Sequence, residues 1–167
     1  MGFPFYVVYI VAFFIAALAV VVSVTENRHI LGTLFIFYVI AVLIITLFVR
    51  TYDMEVKTIL DPFMKYRALA KDFSKSGWKC FLNHNGFASE IFLNILLFVP
   101  LGFLVPKLQE NFQKGWKMLL LGLAFSLFIE LSQLVLHMGC FDISDLVHNT
   151  LGSGIGYAVW HKWMREE

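Results

Sequence analysis

An all-α, polytopic membrane helical bundle is the fold class this sequence predicts, with about five transmembrane helices and one amphipathic interfacial helix. Three observations carry that reading. Of the 167 residues, 59% are hydrophobic and 15% charged, at a mean hydropathy of +0.76, where a soluble domain would carry about 25% charged residues. The apolar residues gather in runs of spanning length between short polar breaks. Phenylalanine is heavily used, at 18 residues, which suits lipid-facing and inter-helix packing. The formal charge of +1 says nothing about nucleic acid, and with no dominant basic face none is expected as a partner. Cys80 and Cys140 do not make a disulfide framework, and stand either as a pair or as two thiols.

In chain order, residues 1–25 contain no charge, and 5–24 is an uninterrupted apolar run of spanning length. It has neither a basic start nor a small-residue cleavage site, so it reads as a retained helix rather than a signal peptide. After the polar break Thr25-Glu26-Asn27-Arg28-His29, residues 31–49 form a second span, and the short connection makes the two an antiparallel hairpin. Residues 50–86 are the long polar segment and hold seven of the thirteen Lys and Arg. Within it Asp61-Pro62 reads as a helix start. Phe63, Tyr66, Ala70 and Phe73 then fall on one side and Lys65, Lys71, Asp72 and Lys75 on the other, up to Ser76-Gly77. Two readings of this amphipathic helix stand: a surface helix with its basic face toward anionic headgroups, or a small cap packed on the bundle.

The third span, 87–105, carries Glu90 and Asn94 in its first turns and Pro100 and Gly102 in its second half. Pro100 is expected to kink it, and Pro106 to lie just past its end. A polar turn at 107–117 leads to the fourth span, 118–136, with Glu130 and Gln133 near its end. A short loop, 137–144, precedes a fifth and shorter span at 146–163. Trp116, Trp160 and Trp163 sit near predicted ends, as an interfacial aromatic belt requires. The chain reads as a single domain over 1–167: a hairpin (1–49), an amphipathic loop (50–86) and a three-helix core (87–167).

The core has a polar skeleton, Glu130-x-x-Gln133-x-x-x-His137 and then Asp142-x-x-Asp145-x-x-x-Asn149-x-x-Gly152-x-x-x-Gly156. Spacings of three and four put each set on one helix face. Alternation of five spans places Glu90, Asn94, Glu130, Gln133, Asp142, Asp145 and Asn149 in the same leaflet. Glu130 lies about 9 Å inside its span at 1.5 Å per residue, a depth at which a lone charge costs several kcal/mol. Such convergence predicts a polar cavity open to one side. Structural roles stand beside that reading. Asp142 and Asp145 fit the N-cap and N3 positions of a capping box; Gly152 and Gly156 fit a small-xxx-small packing face; Glu90 fits a solvated helix end. His137, Asp142, Asp145 and His148 are suitable metal ligands. No tight ligand spacing joins them and His148 points off their face, so no metal and no cofactor is expected. His84 reads as a solvated loop histidine.

Three motifs then resemble the VanZ-like family of bacterial membrane proteins: Asn94-Ile-Leu-Leu-Phe-Val-Pro100-Leu-Gly102, Glu130-Leu-Ser-Gln133, and Asp142-Ile-Ser-Asp145-Leu-Val-His-Asn149-Thr-Leu-Gly152 with Gly156 following. Some relatives carry a basic residue just before the Asp-x-x-Asp loop; none stands there in this chain. The resemblance implies a cell-envelope membrane protein associated with low-level resistance to teicoplanin, a lipoglycopeptide that binds cell-wall precursors. It carries over no catalytic residues.

Outside the long loop, all six Lys and Arg fall on the side of the C-terminus, which puts the N-terminus outside and the C-terminus in the cytoplasm. The expected protein is multi-pass in the plasma membrane, with membrane lipid as a partner and a lipid-linked wall precursor or lipoglycopeptide as a further one. Its outward cavity would bind the amphiphile without a reaction. Two alternatives remain open: an intramembrane enzyme acting on a lipid headgroup with Glu130 and Asp145 as acid and base, and a partner subunit docking by its glycine face.

Overall fold

A computed structural model describes residues 10, 11, 14, 21, 25–49, 58–77 and 87–166. Most of the expected first span, together with Cys80 and His84, lies outside the described residues, so the hairpin geometry and the cysteine pairing do too. Helix α1 is Arg28–Ile44, continued by a π turn at Ile45–Val49. Asn27 starts it: its side-chain oxygen accepts from the backbone N–H of His29 at 2.9 Å and of Ile30 at 3.4 Å, satisfying donors that a helix N-terminus leaves open. The polar break is therefore a cap.

The amphipathic segment forms helix α2, Met64–Ser76. Asp61 accepts from Phe63 N at 3.0 Å and pairs with Arg67. The Phe63 N–H first, and Arg67 second, hold its carboxyl below the usual carboxylate range. Gly77 closes the helix at φ 60°, a left-handed value that suits glycine. Just before α2, the two-residue strand β1 (Thr58–Ile59) pairs in parallel with β2 (Phe141–Asp142), a tie between distant segments that no periodicity announced.

Helices α3 (Phe87–Leu108), α4 (Gly115–Val135) and α5 (Ile143–Glu166) form the core. Three stretches, Arg28–Phe48, Phe87–Leu108 and Gly115–Val135, are long and apolar enough to cross a membrane. α5 is longer still but less apolar, because it packs against both α3 and α4 and turns its polar residues toward them. Its outer stripe is Val147, Leu151, Ile155 and Val159, all exposed and spaced four apart, a surface made for lipid. The arrangement holds throughout: exposed Ile36, Phe37, Ile40, Phe92, Leu120, Phe128 and Val135 face out, while Glu90, Glu130, Asp145 and Asn149 are buried. Two expected boundaries shift. α5 begins at Ile143 rather than Leu146, and Pro106 lies inside α3 rather than beyond it. A proline so near a helix end removes one bond only, the one its own N–H would have made to the Gly102 carbonyl, and the Pro106 carbonyl accepts from Gln113 Nε2 at 3.4 Å.

Glycines set the spacing of α3 and α5. A Cβ on Gly152 would fall on the Ile95 carbonyl oxygen, one on Gly156 on that of Val99, and one on Gly102 on that of Ser153. Backbone therefore lies against backbone. α1 docks on α3 through buried Tyr38, whose hydroxyl donates to the Leu97 carbonyl at 2.7 Å. We expect Tyr38→Phe to cost about 1 kcal/mol and lower the melting temperature by about 3 °C. Thermal denaturation in detergent checks this.

Contacts tie α1 to the rest of the bundle at both of its ends. Arg28 lies 3.8 Å from Glu110 at one end, and Gln133 Nε2 donates to the Thr46 carbonyl at 2.9 Å toward the other.

Candidate functional site

The polar residues of α3, α4 and α5 do converge, and the group at their centre is Lys65 of α2. Its ammonium lies 3.2 Å from Glu90 Oε1, 3.0 Å from Asp142 Oδ2 and 2.5 Å from Asp145 Oδ1. Three carboxylates thus surround the ammonium, and it donates a hydrogen bond to Asp145 Oδ1. Lys65 is 2% exposed. Of the two readings of α2, the cap packed on the bundle holds and the surface helix is corrected at Lys65, which does not face headgroups, while Phe63, Tyr66 and Phe73 on the apolar side are exposed. The reason is electrostatic. Several buried carboxylates without a cation would cost several kcal/mol each, whereas aromatic rings lose nothing by facing lipid. The basic residue missing before the Asp-x-x-Asp loop is thus supplied from 77 positions upstream of Asp142.

Glu130, 1% exposed, accepts from the backbone N–H of Asp142 at 2.8 Å. In a capping box that N–H would go to Asp145, the N3 residue. Here Glu130 of α4 takes it, which leaves Asp145 to hold Lys65. Asp142 keeps its capping duty, since Oδ1 accepts from Ser144 N at 2.8 Å and Ser144 Oγ at 2.6 Å. Glu90 is buried rather than solvated. Gln133, three residues on from Glu130, bonds the π turn that continues α1, where helix carbonyls lack intrahelical donors. Asn149 donates to Ser126 Oγ at 2.8 Å, joining α5 to α4. Asn94 is buried one turn below Glu90, and its Nδ2 meets no acceptor among the described residues. Of the packing residues, Gly102, Gly152 and Gly156 lie between α3 and α5, and Pro100 is buried in α3.

His148 was expected to point off the acidic face. It is nonetheless buried, with Nε2 2.6 Å from the Tyr66 hydroxyl and Nδ1 4.0 Å from Asp145 Oδ1. The offset is real along α5, and α2 fills it by laying Tyr66 against His148 with rings edge to face. Lys65, Tyr66, Ser126 and Ser144 were not singled out beforehand as site residues. One signal pointed to Lys65: a core with four membrane-depth carboxylates and no cation of its own, beside a loop rich in lysine. Among the described residues, no group of three or more His, Cys, Asp or Glu is arranged to hold a metal ion.

Fold and site together define a helical integral membrane protein whose core is closed by a lysine–carboxylate cluster. A family model described as VanZ/LLP1 matches residues 35–165, and the chain belongs to the VanZ/LLP1 family. Comparison with curated proteins and with solved structures gives no match.

Proposed function

We propose that this VanZ-type membrane protein binds an amphiphile, a lipid-linked wall precursor or a lipoglycopeptide, on the exposed face of α2 above the buried Lys65 cluster, in the outer half of the plasma membrane, and so lowers sensitivity to teicoplanin. One observation carries the reading: α2 is seated at the bundle's polar centre by Lys65 while keeping Phe63, Tyr66, Phe73, Arg67, Lys71 and Lys75 exposed. An aromatic and basic surface of this kind suits acyl chains and anionic headgroups together. The cluster beneath fixes its position. In this orientation the N-terminus is outside and the C-terminus cytoplasmic, because the short connections with Lys and Arg then face the cytoplasm.

Expression in a susceptible Gram-positive host should raise the teicoplanin concentration needed to stop growth. Glu130→Ala and Asp145→Ala should each abolish the effect while folded protein persists at the membrane. Equal protection by both variants and the wild type would reject the proposal.

A further inference from the structure

The phenol of Tyr66 has a setting that amphiphile binding does not require. Its hydroxyl is 2.6 Å from His148 Nε2, while His148 Nδ1 is directed toward Asp145 Oδ1 at 4.0 Å and meets no hydrogen-bond partner among the described residues. A phenol hydrogen-bonded to an imidazole nitrogen has a general base within reach of its proton. His148 is 1% exposed and Tyr66 42%: the imidazole is sheltered while Tyr66 reaches it from the surface through a half-buried bond. Arg67 and Lys71, exposed on the same helix, favour an anionic substrate.

We propose that Tyr66 is a nucleophile toward the phosphoryl group of a lipid-headgroup phosphate ester, with His148 as its base. The substrate class rests on the amphiphile-binding reading. In the first step the phenol proton passes to His148 Nε2 as the phenolic oxygen bonds phosphorus. The ester oxygen leaves with the phosphorus–oxygen electron pair and takes that proton. Water then attacks the tyrosyl phosphate, gives a proton to His148 and releases phosphate, and the proton returns to the phenolate. The net reaction is ester plus water to alcohol plus phosphate.

A fluorophosphonate probe tests the nucleophile without any lipid, since the phenol oxygen displaces fluoride and hydrogen fluoride is the product. The purified full chain in detergent is treated with the probe, and adducts are mapped by peptide mass spectrometry. Tyr66 should label about 100-fold faster than Tyr157, whose hydroxyl donates to the Gln113 carbonyl and has no base beside it. His148→Gln keeps an acceptor near the phenol but cannot take a proton, so its Tyr66 rate should fall to that of Tyr157. Labelling of Tyr66 no faster than Tyr157 in the wild type would overturn the proposal without recourse to a variant, as would a wild-type rate in folded His148→Gln. Neither outcome bears on teicoplanin tolerance, which tests amphiphile binding separately.

Discussion

Lys65→Met should lower the melting temperature in detergent by about 10 °C, the effect of losing about 3–5 kcal/mol. Methionine fills a similar volume, so the loss is electrostatic rather than a cavity. Glu90, Asp142 and Asp145 each give an oxygen to the Lys65 ammonium within 3.2 Å. Without it they face one another in a site that excludes water, and like charges there repel far more strongly than in solution. α2 also loses its anchor, so its exposed aromatic face should become sensitive to proteolysis. Removing one of the carboxylates should offset part of the damage: Lys65→Met with Glu90→Gln is expected to melt several degrees above Lys65→Met alone. Glu90 is the natural choice, since Asp142 also caps α5. A Lys65→Met protein that melts with the wild type would mean the cluster contributes nothing to holding the bundle.

Gly152→Val should be as damaging by a different route. The new Cβ would coincide with the Ile95 carbonyl oxygen, which belongs to the α3 backbone and cannot swing aside as a side chain can. α3 and α5 would have to part, at a cost of about 3 kcal/mol, the upper range for overpacking. Gly156→Val meets the Val99 carbonyl in the same way. Gly32 gives the contrast: nothing lies within 4 Å of a Cβ built there, so Gly32→Ala in α1 should stabilise by up to about 1 kcal/mol through helix propensity. Thermal melts of the three variants decide the matter. Equal behaviour of Gly152→Val and Gly32→Ala would show that α3 and α5 are not in backbone contact.

Much of the bundle was legible because lipid demands it. Long apolar runs marked the described spans, and the spacing of Gly152 and Gly156 marked the close face of α5. The i, i+3 and i+4 spacings of Glu130, Gln133, Asp142, Asp145 and Asn149 marked inward stripes, and their shared leaflet followed from counting spans. These are properties of single helices and of their order. Lys65 was legible only as one lysine among several on a polar helix face, and His148 as a residue off the acidic stripe. Which way α2 turns is not written in α2, because its amphipathic pattern fits a membrane surface equally well with the rings or the lysines inward.

The amino-acid sequence by itself determined that this is a membrane-spanning helical bundle of the VanZ/LLP1 kind, with acidic and amide groups brought into one half of it. Burial cost and helical period act locally, so a linear pattern carries them. Only the tertiary structure decided that the cation answering those carboxylates is Lys65, that Glu130 takes the N–H a capping box would have given to Asp145, and that Tyr66 meets His148. Each joins residues at least 12 positions apart on different elements, and a charge in a dry core binds whichever partner the packing brings within reach.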